Sequence, residues 1–77
     1  MDIIEVFSHN LKKYRILKGY SQAILSQKTG LHRTYISALE CKKRNIALDN
    51  IQKIATALEI DTYLLFMDNE RSETYES

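Results

Sequence analysis

A chain of 77 residues holds one small domain, and a domain that short buries only about 60% of its unfolded surface, so its stability margin is thin and help from a partner subunit is expected. One cysteine, Cys41, excludes an intrachain disulfide framework, and no segment approaches the roughly 18 apolar residues of a membrane span; the opening MDIIEVFSHN also lacks the basic region of a signal peptide. The net charge of +1 conceals an asymmetry: residues 9–53 carry ten Lys or Arg against Glu40 and Asp49, a net of +8, while residues 54–77 net −5 and residues 1–8 net −2. A soluble intracellular protein is expected. Its basic middle is either a face turned toward a polyanion or an ordinary solvated surface, and charge alone does not choose between them.

No proline interrupts the chain, and the two glycines, Gly19 and Gly30, stand where periodic segments end. Over residues 3–18, Ile3, Phe7, Leu11 and Tyr14 recur at spacings of four, four and three, the stripe of an amphipathic helix. Ile16 and Leu17 lie off that stripe. Ser21 can cap a short helix of about eight residues that carries Ile24 and Leu25, although Ile24 stands where a capping box would place Glu. Gly30 closes this helix. Leu31 adds apolar surface, and a second short helix over about 32–40 turns Ile36 and Leu39 inward.

Residues 41–47, CKKRNIA, form a basic connection without periodicity. Leu48, Ile51, Ile54, Ala55 and Leu58 predict the next helix, with Asp49 near its positive end. Asp61 can cap a last helix through about Met67, in which Leu65 and Phe66 enter the core. Residues 68–77, DNERSETYES, read as a polar, acidic, disordered tail beyond a domain of residues 1–67. The expectation is an all-α domain of five helices.

Two short helices around a Gly-containing turn form the motif that carries function. A helix-turn-helix needs a small residue where its helices approach, a left-handed residue in the turn, and apolar residues that lock the angle. From Gln22 onward those demands fall on Ser26, on Gly30, and on Leu25, Leu31, Ile36 and Leu39. The segment YSQAILSQKTGLHRTYISALECKKRN resembles the helix-turn-helix of the phage lambda repressor/Cro-like family, and the likeness runs over residues 11–58, nearly two thirds of the chain. HRTYIS followed by Glu40, Arg44 and Asn45 most resembles the controller proteins of bacterial restriction–modification systems, homodimeric regulators of their own gene and of the endonuclease gene. Four positions depart from the pattern. Ser26 replaces the usual alanine, Cys41 takes a place where glycine is frequent, Ile46 and Ala47 replace a frequent Pro-Ser pair, and His32 stands where Asp, Asn or Ser usually caps the second helix.

This resemblance implies a compact lambda-repressor-like fold whose second motif helix enters the major groove by its N-terminal end. His32, Arg33 and Thr34 are then the base-reading candidates. Arg33 has the fork to donate two bonds to guanine, and Thr34 has a methyl for thymine and a hydroxyl for a base edge. Tyr35 suits a sugar-phosphate contact or the positioning of Arg33 better than base reading. Gln22, Ser37, Lys42, Lys43, Arg44 and Asn45 are candidates for the DNA backbone. Arg15 joins them if family geometry holds; the alternative is an ion pair between Arg15 and Glu40 inside the domain.

Tyr63, Leu64 and Met67 exceed what a small core can cover and are candidates for a homodimer interface, since one motif helix reads only a few base pairs and symmetric pairs read two half-sites. Tyr14 and Tyr20 suit core or interface positions. No nucleophile–base constellation, glycine-rich phosphate loop or metal-ligand spacing occurs, so neither an enzyme nor a cofactor is expected. The expected function is a dimeric regulator of transcription that binds double-stranded operator DNA and occludes or touches RNA polymerase, with no membrane or small-molecule partner. The alternatives are a phage-type repressor or an antitoxin of the same fold, or a protein-interaction module with little DNA specificity.

Overall fold

The computed structural model describes residues 2–43 and 45–68. Among these residues four α-helices follow one another, α1 (Ile3–Leu17), α2 (Gln22–Thr29), α3 (Arg33–Glu40) and α4 (Leu48–Leu58), and a 3-10 helix spans Thr62–Phe66. The all-α class matches expectation, but the fifth element is not an α-helix. Asp61 makes no side-chain cap bond there. A run of five residues gains too few bonds to offset the nucleation of an α-helix, so the tighter i→i+3 turn prevails.

Local chemistry accounts for most boundaries. The Asp2 carboxylate accepts from the Ile4 N–H at 3.0 Å to start α1, and the Ser21 hydroxyl accepts from the Ile24 N–H at 3.1 Å to start α2. At the start of α3 the imidazole of His32 substitutes for the usual capping oxygen, its Nδ1 accepting from the Thr34 N–H at 3.2 Å. Three helices end in the same Schellman-type closure, with Tyr20 N–H bonded to Arg15 O, Lys43 N–H to Ala38 O and Ile60 N–H to Ala55 O. The left-handed residues in these closures are Gly19, Lys42 and Glu59, with φ of 77°, 63° and 59°. Cys41 has φ of −95°, so the position that favours glycine is Lys42, one residue later than the sequence pattern suggests.

All the helices contribute to one core. Phe7 and Leu11 from α1, Leu25 from α2, Ile36 and Leu39 from α3, Ile51, Ile54, Ala55 and Leu58 from α4, and Leu65 form a single buried cluster. Of the predicted stripes, Tyr14 packs half-buried against this cluster, and two members are exposed. Ile3 is 51% exposed and Leu48 is 86% exposed. Each is the first residue of its helix, where the stripe overshoots the core. Ile16 and Leu17 are exposed as well. Leu64, expected to be exposed, is half-buried, while Tyr63 and Met67 are exposed. Phe66 lies half-buried with its ring 5.6 Å from that of Phe7.

Two buried polar side chains on α1 hold its neighbours. The Ser8 hydroxyl donates to Leu39 O at 2.6 Å, and the Asn10 Nδ2 donates to Leu65 O at 3.0 Å and Met67 O at 2.8 Å. Asn10 therefore fastens the 3-10 segment to α1. Its Oδ1 has no hydrogen-bond partner among the described residues, which offsets part of that gain. Asn10→Ala is expected to lower stability by about 1–2 kcal/mol, because two carbonyls lose a buried donor. Urea unfolding should show a lower midpoint at an unchanged slope; an unchanged midpoint would mean that the clamp contributes nothing.

Candidate nucleic-acid interface

The turn between α2 and α3 is fixed by its own side chains. The Ser26 hydroxyl donates to Leu31 O, and the Thr29 hydroxyl accepts from the Leu31 N–H at 3.1 Å while donating to Leu25 O at 2.8 Å. Gly30 has φ of 76°, and a Cβ added there would meet nothing within 4 Å. Backbone conformation, not crowding, therefore makes glycine suitable at this corner. Leu25, Ile36 and Leu39, all buried, lock the angle between the two helices.

Helical geometry then divides α3. With Ile36 and Leu39 facing the core, Thr34 and Ser37 fall on the opposite side, Thr34 exposed and Ser37 half-buried, while Arg33 stands above Glu40 on one flank and is exposed as the first residue of the helix. His32 is exposed at the same end, although one of its ring nitrogens is engaged as the cap. Tyr35 and Glu40 lie on the two flanks, both half-buried. The structure thus gathers the three base-reading candidates at the N-terminal end of one exposed helix.

The flank at Glu40 is an ion-pair clamp. Arg15 Nε donates to Glu40 Oε2 at 2.6 Å, its Nη2 to Oε1 at 3.1 Å, and its Nη1 to Tyr20 O at 2.8 Å. The two side chains are only 12% and 4% exposed. Of the two roles open to Arg15, the structure displays the pairing with Glu40. Gln22 Nε2 also donates to Glu40 Oε1, at 3.1 Å, so the first residue of α2 is tied to the end of α3.

At the opposite flank, Asn50 in the first turn of α4 donates from Nδ2 to Tyr35 Oη at 3.2 Å. Sequence reasoning does not single out Asn50. Its type and position mark only a helix start, and the partner lies 15 residues away.

Beyond α3 the basic loop carries Lys42, Lys43 and Asn45, all exposed; Arg44 lies outside the described residues, as do 69–77 of the expected acidic tail. Lys42 Nζ is 3.7 Å from Glu5 Oε2, both side chains being well exposed, and such a pair holds the lysine only weakly. Lys18, another cation of the basic middle, is engaged elsewhere. Its hydrogen bond to Glu59 joins the ends of α1 and α4, raising the lysine pKa and lowering that of the glutamate. Among the described residues no three His, Cys, Asp or Glu side chains are grouped to hold a metal ion, and no helix is long and apolar enough to cross a membrane.

Known proteins share this arrangement. A family model described as helix-turn-helix (HTH_3) matches residues 11–65. A hypothetical transcription factor of Neisseria meningitidis serogroup B is 46% identical over 66 residues, covering 86% of this chain. The match spans 62% of that relative's own length. The control protein C.MunI of a Mycoplasma species is 41% identical over 71 residues, 91% of this chain and 96% of its own. The restriction–modification controller protein C.Esp1396I, whose crystal structure is a tetramer in complex with its natural 35 base-pair operator, is 33% identical, with a TM-score of 0.78 over 86% of this chain and 87% of that one. A turn built around Gly30, a core-locked α3 and a family match over most of the chain agree, and this protein belongs to the HTH_3 helix-turn-helix family.

Proposed function

We propose that this protein is a homodimeric, sequence-specific DNA-binding regulator of transcription, the controller of a restriction–modification system. The observation that carries the reading is the exposed N-terminal end of α3, where Arg33 and Thr34 are both exposed while Ile36 and Leu39 are buried, the helix end suited to the major groove. The likeness to control proteins, one of them seen on its operator, supports it. Arg33, Thr34 and His32 read base edges in this scheme. Gln22, Tyr35, Ser37, Lys42, Lys43, Arg44 and Asn45 grip the DNA backbone and supply affinity. Arg15 contributes by bracing Glu40 and, through it, Gln22.

Residues 1–67 act as one DNA-binding and dimerisation unit, and residues 68–77 as an acidic tail. Two copies joined through Tyr63, Leu64 and Met67 would present two reading edges to half-sites one helical turn apart, about 34 Å. Bound near its own promoter, the dimer represses by occluding RNA polymerase or activates by touching it. It works in the cytoplasm, on the nucleoid, by binding and not by catalysis.

Selection of bound sites from random duplexes tests the reading directly. A pseudo-palindromic consensus is the expected result. Retention of random DNA that vanishes at moderate salt, with no preferred site, would instead mark a protein-interaction module. Arg33→Ala should weaken binding to the selected duplex by about 1–3 kcal/mol, roughly 5- to 150-fold, and leave most of the affinity for random DNA. Full discrimination by that variant would show that α3 does not read bases through Arg33.

Lys42 gives a sharper test, because its left-handed backbone opposes its side chain. Lys42→Gly should stabilise the protein by about 0.5–1 kcal/mol, the relief of strain less the entropy lost by glycine, and raise the melting temperature by a few degrees. The same change should reduce the slope of log K against log salt by about 0.9 per protomer, because one phosphate is no longer neutralised by a lysine. A stabilised variant with an unaltered slope would remove Lys42 from the backbone grip.

Tyr63 tests the dimer. Tyr63→Asp places a charge on a side chain that is 62% exposed in the single chain, so the fold should survive. Sedimentation should show a monomer at concentrations where the parent is a dimer. An undisturbed dimer would move the interface elsewhere.

A further inference from the structure

We infer that Asn50 is a positioning residue of the DNA interface and acts through the Tyr35 hydroxyl; the inference rests on the DNA-binding function proposed above. Tyr35 is the third residue of α3, next to Arg33 and Thr34 on the helix and on the flank of their exposed face. Its ring packs half-buried against the core. That packing fixes the inner part of the side chain, and the hydrogen bond from Asn50 Nδ2, at 3.2 Å, fixes its tip. An amide nitrogen only donates, so Oη is the acceptor in this bond, and the hydroxyl proton is directed away from the amide. The bond fixes where the phenol oxygen lies, beside the reading helix, where a tyrosine hydroxyl is placed to meet a phosphate oxygen or a base edge of bound DNA.

The start of α4 shows that the Asn50 side chain is not spent on its own helix. Asn50 occupies the first turn, where asparagine often serves local backbone groups, yet α4 has no side-chain cap. Its beginning is set by backbone bonds, including Asn50 N–H and Ile51 N–H to Ala47 O. The amide reaches across to α3 instead. Residues 35 and 50 also bracket the basic loop, so the bond bears either on Tyr35 itself or on the loop between them. The two effects have different signatures. Positioning of a neutral hydroxyl alters preference for a duplex, whereas displacement of the lysines alters the salt dependence.

A double-mutant cycle decides between them. Wild type, Asn50→Ala, Tyr35→Phe and the double variant are titrated against the duplex selected by the wild type and against a scrambled duplex, over a range of salt. Asn50→Ala is expected to weaken binding to the selected duplex about three- to tenfold, the effect of removing one oriented hydrogen bond. In the Tyr35→Phe background the same change should cost less than about twofold, because the group it positions is gone. The salt slope and the affinity for the scrambled duplex should stay as in the wild type. Asn50→Leu, which keeps a branched side chain of four heavy atoms and removes the donor, should behave like Asn50→Ala and guards against a packing defect in the smaller variant. Urea unfolding of all the variants confirms that each titration is made on folded protein. An equal loss in both Tyr35 backgrounds, no loss in either, or a shallower salt slope would overturn the inference. Coupling seen in unfolding but absent from DNA binding would do the same, because it would make the bond purely structural. A wild type that selects no duplex would instead overturn the DNA-binding function, and this inference with it.

Discussion

Glu40 is the residue on which the placement of both motif helices depends. Its side chain is 4% exposed, and a carboxylate held that far from water is costly unless charge and hydrogen bonds replace its hydration. Arg15 supplies two donors and Gln22 a third, so α1, α2 and α3 meet at one anion. The guanidinium is anchored in turn by Tyr20 O, in the closure that ends α1. A charge-assisted, bidentate pair of this kind is directional, unlike the apolar core, which tolerates some sliding. It sets the rotation of α3 about its own axis, and with it the direction in which Arg33 and Thr34 project.

The core supplies the driving force and the polar contacts supply register. Leu11, Leu25, Ile36, Leu39, Ile54, Leu58 and Leu65 are essentially inaccessible, which gives a short chain a single dry centre. Around it, Ser8 joins α1 to α3, Asn10 joins α1 to the 3-10 segment, and Asn50 joins α4 to α3. Each of these bonds crosses between elements, and each lies on a side chain that a purely apolar packing would not need. Helices of eight residues have little stability of their own, so the ties from Ser8 and Asn50 to α3, with that from Gln22 of α2 to Glu40, help keep α2 and α3 in one orientation.

Much of this is legible in the sequence, and the physical reason is locality. Ser21, Gly30, the Ile36 and Leu39 pair and the α4 stripe from Ile51 to Leu58 act within one helical turn of themselves, where spacing carries the signal. The pairing of Arg15 with Glu40 stands among the alternatives because the family resemblance implies it. What escapes is non-local or depends on an end effect. Asn10 and Asn50 find partners 55 or more and 15 residues away, and an asparagine announces neither. Ile3 and Leu48 satisfy the periodicity yet lie beyond the core, since a stripe does not say where its cluster stops. The left-handed turn after α3 falls one residue later than its pattern suggests, because Lys42 adopts a conformation that glycine would mark.

That lysine illustrates how the site and the fold are balanced. The Schellman closure after α1 uses glycine, while those after α3 and α4 place Lys42 and Glu59 in the same left-handed conformation. Each non-glycine costs about 1–2 kcal/mol, a large share of the margin of a domain this size. For Glu59 the exposed hydrogen bond with Lys18 is the visible return. For Lys42 the facing Glu5 is too distant and too well solvated to offset the strain. Under the DNA-binding function proposed above, the strain at Lys42 is balanced by an external contact of its side chain. A polyanion alongside the loop would supply that contact, and it would also meet Lys43 and Asn45. The proposed DNA-binding function thus assigns the strained backbone at residue 42 and the basic middle of the sequence to one surface.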